Sequence, residues 1–449
     1  MKLDIYLNEN FKIEKEYILS VIFEDILGCK CTFHYLNNLT SYKIVCPNNK
    51  EIIIDDIFFK SLDSYSWEEL DFPNSSFDSN INFKDNHFLF GIYGSSRIKL
   101  DNKSIRLFND IIGTAFIFLT RVEEFRQNHD RLGRYQYKGS LAEKYNILNR
   151  PIVNEYISFL KECIKHFFPD AIFKKMDYKV MLTHDIDTIK RWTFKHFIKH
   201  AIFNFGSKKY FPGFISLFES KYEKKDPYMN FKEIMDISDR YNLQSIFLFM
   251  TLENADNEFL YDINHIKTEI NEIHESGNHF VGIHPGKSTY NCKESMRKEI
   301  DSLKKIIKED ILYSRQHYLM FDIKNTWGLL NDNKIKYDLT LGYPEKIGFR
   351  CGICYPYRVF DFSKRKKLDL IEIPLIIMDV TLTKYMNEYS YSSLIDELRI
   401  VINYVKKYDG RLNIIWHNNS FYDYKNTQYE KLFFDIISLS KKNDYLKLN

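Results

Sequence analysis

No run of eighteen apolar residues occurs anywhere in the 449-residue chain, so no transmembrane helix is expected. Nor is there a long basic block. The formal charge of +3 is spread along the chain, which gives nucleic acid no electrostatic footprint to bind. The opening stretch, MKLDIYLNENFKIEKEYIL, carries charges throughout and lacks the apolar core of a secretory leader, so a cytoplasmic protein is expected. Cysteine is sparse. The seven residues Cys29, Cys31, Cys46, Cys163, Cys292, Cys351 and Cys354 show no regular spacing and no disulfide framework. The C-x-x-C of RCGICYP has no second pair to complete a zinc ribbon and no thioredoxin-like surroundings, so reduced structural thiols are expected at Cys351 and Cys354. Glycine is scarce, whereas aromatic residues reach 16%, and core packing with codon bias explains that excess better than a sugar-stacking surface. Nothing in the sequence speaks to the oligomeric state.

What is present divides the chain in two, as its length requires. Residues 1–175 hold short β-branched and aromatic runs, YKIVC, KEIIIDDIFF and HFLFGIYG, separated by Asn- and Asp-rich turns; these are expected as strands. LFNDIIGTAFIFLTRVEEF and NRPIVNEYISFLKECIKHFF are expected as helices, the second with Pro151 in its first turn. A smaller α+β domain follows from this. His129 and Asp130, in the loop between the two helices, are expected to form a surface turn.

Residues 176–449 alternate instead. YKVMLT, QSIFLFM, HFVGIH and LYSRQHYLMF are expected as strands, with helices at DPYMNFKEIMDISDRYNL, YDINHIKTEINEIHES (ended by Gly277) and CKESMRKEIDSLKKII. That alternation predicts an α/β fold with a parallel sheet, whose site lies at the carboxyl ends of its strands. One segment breaks the rhythm. Residues 191–225, aromatic and basic, admit three readings: an interfacial helix in peripheral contact with a membrane, a lid, or a packing helix.

The ionisable residues fall where such a fold places chemistry. Asp185 and Asp187 follow VMLT, His284 follows FVGI, Arg315 and His317 lie in YSRQHYLM, and His417 follows LNIIW. Burying two carboxylates without partners is costly, so Asp185 and Asp187 are expected to face a cation, a donor or water. A carboxylate with one or two imidazoles is a usual catalytic zinc set, with Asp187 as ligand and Asp185 as the base beside it. His284 precedes Pro285 and Gly286, cannot continue its strand, and must face a loop. His279, at the start of that strand, is expected to pack or to support the site.

Taken in order, LTHDID, GNHFVGIHP, SRQHYLMF, GFRCGICYPY and LNIIWHNNSF resemble the polysaccharide deacetylase family of carbohydrate esterases, in a subgroup with an N-terminal domain of unassigned function. The resemblance covers residues 176–449 and implies a distorted deacetylase-like (β/α) barrel. It implies Asp185 as catalytic base, Asp187 and His284 as metal ligands, Arg315 as the group orienting the base, and His417 as the acid that protonates the leaving group. Tyr318 matches the family's tyrosine, whose neighbourhood offers a backbone N–H to the developing oxyanion. Ser288 stands where the family has its second metal-binding histidine, and His317 stands where it has a proline; His317 is therefore the candidate for the missing imidazole. Arg350 admits two readings, a contact to a carboxylate or phosphate on the substrate or a surface ion pair, and Trp416 is expected as a substrate contact.

The implied activity is a hydrolase dependent on a divalent ion, zinc first, that removes an N-acetyl or similar acyl group from a sugar-containing substrate. An acetylated amino-sugar precursor of a surface polysaccharide suits the expected compartment. Two alternatives stand beside it: cleavage of another C–N bond on the same fold, and a non-catalytic carbohydrate-binding or assembly protein with a degenerate site.

Overall fold

The computed structural model describes residues 1–62, 66–82, 86–126, 128–190, 226–253, 256–422 and 428–442. The aromatic and basic segment 191–225, with its membrane, lid and packing readings, lies outside the described residues.

The N-terminal region supplies strands β1 (Lys2–Leu7), β2 (Lys30–Tyr35), β3 (Ser41–Val45), β4 (Glu51–Asp55), β5 (Phe77–Asn82), β6 (Asn86–Gly91), β7 (Gly94–Leu100) and β8 (Ser104–Asn109). Six of them form a mixed sheet in the order β2-β1-β3-β4-β8-β7, and β5 and β6 pair as a hairpin. In β4 and β8 alternate residues are buried, the signature of a sheet with one face on a core. The helix expected across LFNDIIGTAFIFLTRVEEF is split. Ser104–Asn109 extends as β8, and Asp110 then caps the helix Ile111–Thr120 by accepting from Gly113 N (2.7 Å). Every residue of that helix is buried, so it runs through the interior.

The second region supplies β9 (Lys179–Ile186), β10 (Gln244–Phe249), β11 (Phe280–Ile283), β12 (Tyr313–Ser314), β13 (Tyr337–Asp338), β14 (Tyr357–Asp361), β15 (Lys366–Glu372), β16 (Leu375–Met378) and β17 (Arg411–Ile415). They form one sheet in the order β14-β15-β13-β12-β11-β10-β9-β17-β16, parallel throughout except for β14. The sheet curls into a half-barrel. Ile246 and Leu248 of β10 pack in one cluster with Leu339, after β13, and Ile373, after β15. Among the described residues its ladder is open, with β14 and β16 at the edges.

Amphipathic helices cover its outer face. In Lys293–Ile307 the buried Met296, Ile300, Leu303 and Ile307 recur at helical spacing. Left-handed Lys308 ends that helix, and Gly277 (φ 69°) follows the helix Lys267–Glu275, as expected. The strand expected over LYSRQHYLMF is only two residues long. After Ser314 the chain leaves the ladder and turns at His317–Leu319, with Tyr318 and Leu319 both at φ 58°.

The two regions share an apolar core. Tyr17 lies 4.9 Å from Phe360 between ring centroids, Trp67 5.3 Å from Phe362, and Phe125 5.0 Å from Phe362. All seven cysteines are unpaired. Cys351 is buried, and burial pushes its thiol up to about 12.

Candidate active site

Strand β9 lies in the middle of the sheet, between β10 and β17, and its last residues are covered on both faces. His184 points away from the site: its Nδ1 meets Trp416 O (2.7 Å) and its Nε2 meets Ser245 Oγ (3.1 Å). Burial pulls its pKa down to about 4, so it is a neutral packing residue. His279 packs likewise, with Nδ1 accepting from Ser245 N (3.1 Å). Asp185 and Asp187 turn to the other side.

Three other strand ends, those of β11, β12 and β17, then bring ionisable groups to these carboxylates. His284 Nε2 lies 3.3 Å from Asp187 Oδ1 and 3.8 Å from Asp185 Oδ2. His317 Nε2 lies 3.9 Å from Asp187 Oδ1, and His417 Nε2 lies 3.7 Å from Asp187 Oδ2. Arg315 Nη1 donates to Asp185 Oδ1 (2.7 Å) and to Thr183 Oγ1 (2.8 Å), and its Nε donates to Leu339 O (2.9 Å).

The outer nitrogen of each imidazole is engaged. His284 Nδ1 meets Arg315 O at 2.7 Å, which makes Nδ1 the donor and turns the Nε2 lone pair inward. His317 Nδ1 faces Glu258 Oε2 at 3.4 Å, and His417 Nδ1 faces Asp379 Oδ1 at 2.8 Å. Asp379 also accepts from the His417 amide (2.8 Å) and from Ser420 Oγ, so its carboxylate is fixed against the ring.

The charges follow from this packing. Burial pushes the Asp185 carboxyl up, but Arg315, aided by His284 and His417, holds it below the usual carboxylate range. For Asp187 burial again acts upward, and the three imidazoles outweigh it. Burial pulls His417 down, yet Asp379, with Asp187 and Asp185, raises it to about 10. His284 is raised by the same two aspartates against its burial.

Donor atoms of Asp187, His284 and His317 lie within 4.8 Å of one another. Asp187 Oδ1 is buried and has no hydrogen-bond partner, although two inward-facing imidazole nitrogens surround it. One carboxylate and two imidazoles with orphaned lone pairs fit a divalent ion of the zinc type. Ser288 is exposed.

Two residues singled out as substrate contacts lie elsewhere. Arg350 is buried and spends its guanidinium on Glu124, through Nε (3.0 Å) and Nη2 (2.7 Å to each oxygen), and on Gly342 O (2.8 Å). Trp416 is fully buried, its ring 5.2 Å from that of Phe433. Neither side chain can reach a substrate. Tyr318 lies at the rim, exposed, its ring stacked on His317 at 3.8 Å. Asp379 and Glu258 went unnoticed in the sequence. Asp379 follows the buried run LIIM and carried the same strand-end signal as the others; Glu258, in an irregular loop, carried none.

A family profile described as a family of unknown function (DUF7033) matches residues 3–169. No curated protein matches. Among solved structures, the chain is similar to a protein assigned as a polysaccharide deacetylase from Mycobacterium smegmatis, at 15% identity and a TM-score of 0.39, over 60% of this chain and 86% of that one. It is also similar to a polysaccharide deacetylase from Bacillus cereus, at 11% identity and a TM-score of 0.27, over 60% of this chain and 90% of that one. A third similar structure, over 60% of this chain and 62% of that one, is a CE4 family pseudoenzyme from Bacillus anthracis, at 10% identity and a TM-score of 0.30.

Proposed function

We propose that this chain is a metal-dependent hydrolase of the polysaccharide deacetylase type, with its site in residues 176–449, that removes an N-acetyl or similar acyl group from a sugar-containing substrate. The observation that carries the reading is the orphaned, buried Asp187 Oδ1 facing His284 and His317, with one acid–base group on either side of it.

Asp187, His284 and His317 would hold the ion, zinc by preference for this donor set. When bound, a divalent ion supplies positive charge that polarises a carbonyl oxygen and makes nearby water more acidic. Asp185, ionised and oriented by Arg315, takes a proton from the attacking water. His417, kept protonated by Asp379, gives a proton to the departing amine nitrogen. The backbone at Tyr318 lies beside His317, where an N–H can meet a developing oxyanion.

Acetate release from acetylated amino sugars, measured with metal content on the same samples, tests the reading. Wild type should carry about one equivalent of ion, and Asp187→Ala should lose it. Asp185→Asn should keep the ion and lose roughly 10²–10⁴-fold in turnover. Metal content that is unchanged in Asp187→Ala, or no acetate from any such sugar, overturns it.

A further inference from the structure

In the candidate metal site two imidazoles from different strand ends must sit at one spacing. His284 and His317 have ring centroids 5.1 Å apart, and their backbones run side by side. Arg315 N donates to Ile283 O (3.2 Å), His317 N donates to Pro285 O (3.1 Å), and His284 Nδ1 donates to Arg315 O (2.7 Å). The Pro285–Gly286 peptide therefore holds the backbone of His317 on its carbonyl, which leaves its N–H to another partner.

That partner is Glu299, on the helix Lys293–Ile307. Gly286 N donates to both carboxylate oxygens, at 3.3 Å to Oε1 and 3.1 Å to Oε2. Glu299 is only 8% exposed and shares its helix with the buried Met296, Ile300 and Leu303, where an apolar side chain would carry no desolvation cost. Its backbone is tied as well, because Thr251 Oγ1, just beyond β10, donates to Glu299 O (3.0 Å). Gly286 suits the contact. A Cβ there would meet Leu252 Cδ2 at 2.4 Å and Glu299 Oε1 at 3.3 Å, so the missing side chain lets the carboxylate close on the amide.

The other half of the pair is anchored separately. Gln316 N, between Arg315 and His317, donates to Thr340 Oγ1 (3.1 Å), and that hydroxyl donates to the buried Asp338. Thr289 N donates to Gly286 O (3.0 Å), a bond within the loop that follows His284. Glu299 instead ties that loop to the covering helix. The place of His284 relative to His317 thus depends on a buried carboxylate two turns of chain away from either ring.

We propose that Glu299 is a positioning residue of the metal site: by gripping the Gly286 amide it sets the spacing of His284 and His317 without itself ligating the ion. The inference rests on the assignment of Asp187, His284 and His317 as ligands under the hydrolase reading.

Zinc affinity of the full-length protein, measured by competition with a chromophoric chelator, tests it, and cobalt(II) in place of zinc reports ligand geometry through its visible bands. Glu299→Leu, which keeps bulk but offers no acceptor, should bind zinc about 10–100-fold more weakly than wild type, as loss of a group supporting a ligand does, with a shifted cobalt spectrum. Glu299→Gln can still accept from Gly286 N and should stay within a few-fold of wild type, with the wild-type spectrum. Gly286→Ala leaves the carboxylate in place but crowds it off the amide, so it should weaken zinc in the same way, and it serves if Glu299→Leu does not fold. Leu303→Ala, on the same helix, should lower the melting temperature and leave zinc affinity unchanged. Wild-type affinity and spectrum in folded Glu299→Leu or in Gly286→Ala, a loss in Glu299→Gln equal to that in Glu299→Leu, or a comparable loss in Leu303→Ala overturns the proposal. Wild-type protein that takes up no zinc overturns the ligand assignment and this inference with it, whereas wild-type protein that binds zinc and releases no acetate overturns the hydrolase reading alone.

Discussion

Replacing Arg350 with alanine discriminates sharply between a residue that recognises substrate and one that holds the protein together. Its guanidinium makes three bonds to Glu124, between side chains 2% and 3% exposed, and Arg121 Nε donates to the same carboxylate at 2.8 Å. The alanine variant removes one cation from a buried cluster and leaves Gly342 O without its donor. Breaking one partner of such a buried pair costs about 3–5 kcal/mol. That is a large part of the roughly 5–15 kcal/mol that holds an ordinary domain folded, and raises the unfolded fraction by about two to three and a half powers of ten. In urea the midpoint should fall while the slope is kept. Arg350→Met combined with Glu124→Leu should cost less than the two single changes together, because no charge is then left unpaired. The pH dependence has a definite sign. Burial pushes the Glu124 carboxyl up, but Arg350 and Arg121 outweigh it, so its folded pKa lies below the ordinary 4.5. Its contribution is therefore present at neutral pH and lost as the pH falls below 4.5 through that lowered value. Wild-type stability at neutral pH in Arg350→Ala, with a raised KM for an anionic sugar, would refute the structural assignment and restore the substrate contact.

Two further outcomes are expected. Asp379→Asn removes the carboxylate that raises His417 most against its burial, so the alkaline limb of the turnover profile should move from near 10 towards 6.5 or lower. An alkaline limb at the same pH in wild type and variant would show that another group sets it. Residues 176–449 expressed alone would expose Phe360 and Phe362, which the N-terminal region covers, at about 1.5–3 kcal/mol for each side chain returned to water. That fragment should aggregate or melt without cooperativity, and a soluble monomer with a sharp thermal transition would count against the shared core.

The fold was legible where apolar periodicity is local. The helix Lys293–Ile307 and the strands Lys179–Ile186 and Gln244–Phe249 announce themselves through residues within one or two turns of each other. It was illegible where a single residue decides. Nothing in the composition of LFNDIIGTAF says that Asp110 accepts from Ile57 N and Phe58 N (2.8 Å each), which fixes the junction of strand and helix there. The edge strands β2 and β7 carry too little alternation to be read, and β12 is brief because the chain must turn to aim Arg315 and His317 inward.

The candidate site was legible for the same reason that it is compact. A parallel sheet gathers the residues after its strands at one end, so six polar residues following apolar runs converge from places far apart in the chain. Misreadings came from partners that no local pattern reveals. Arg350 is taken up by Glu124, 226 residues away, and Trp416 packs on Phe433, and neither partner shows in the local sequence.

The arrangement around Asp187 also bears on why this cluster suits an ion better than a shared proton. A protonated His284 would have to aim Nε2–H at a carboxylate, since Nδ1 already faces Arg315 O at 2.7 Å. The nearest oxygen, Asp187 Oδ1, lies 3.3 Å away with no donor aligned on it, and His317 Nε2 stands 3.9 Å off on another side. A proton satisfies one such pair and leaves the second imidazole facing the oxygen without a bond. A cation among the three donors would satisfy all of them, because the outer nitrogen of His284 is held by a carbonyl and that of His317 by Glu258, which leaves their inner nitrogens facing Asp187 Oδ1. The asymmetry with His417 supports the same assignment. Its outer nitrogen is backed by a buried carboxylate at 2.8 Å, which favours a charged imidazolium, whereas the outer nitrogen of His284 is backed by a carbonyl, which brings no full negative charge. The two histidines thus differ in what stands behind them, and that difference separates a group suited to give up a proton from one suited to hold a metal.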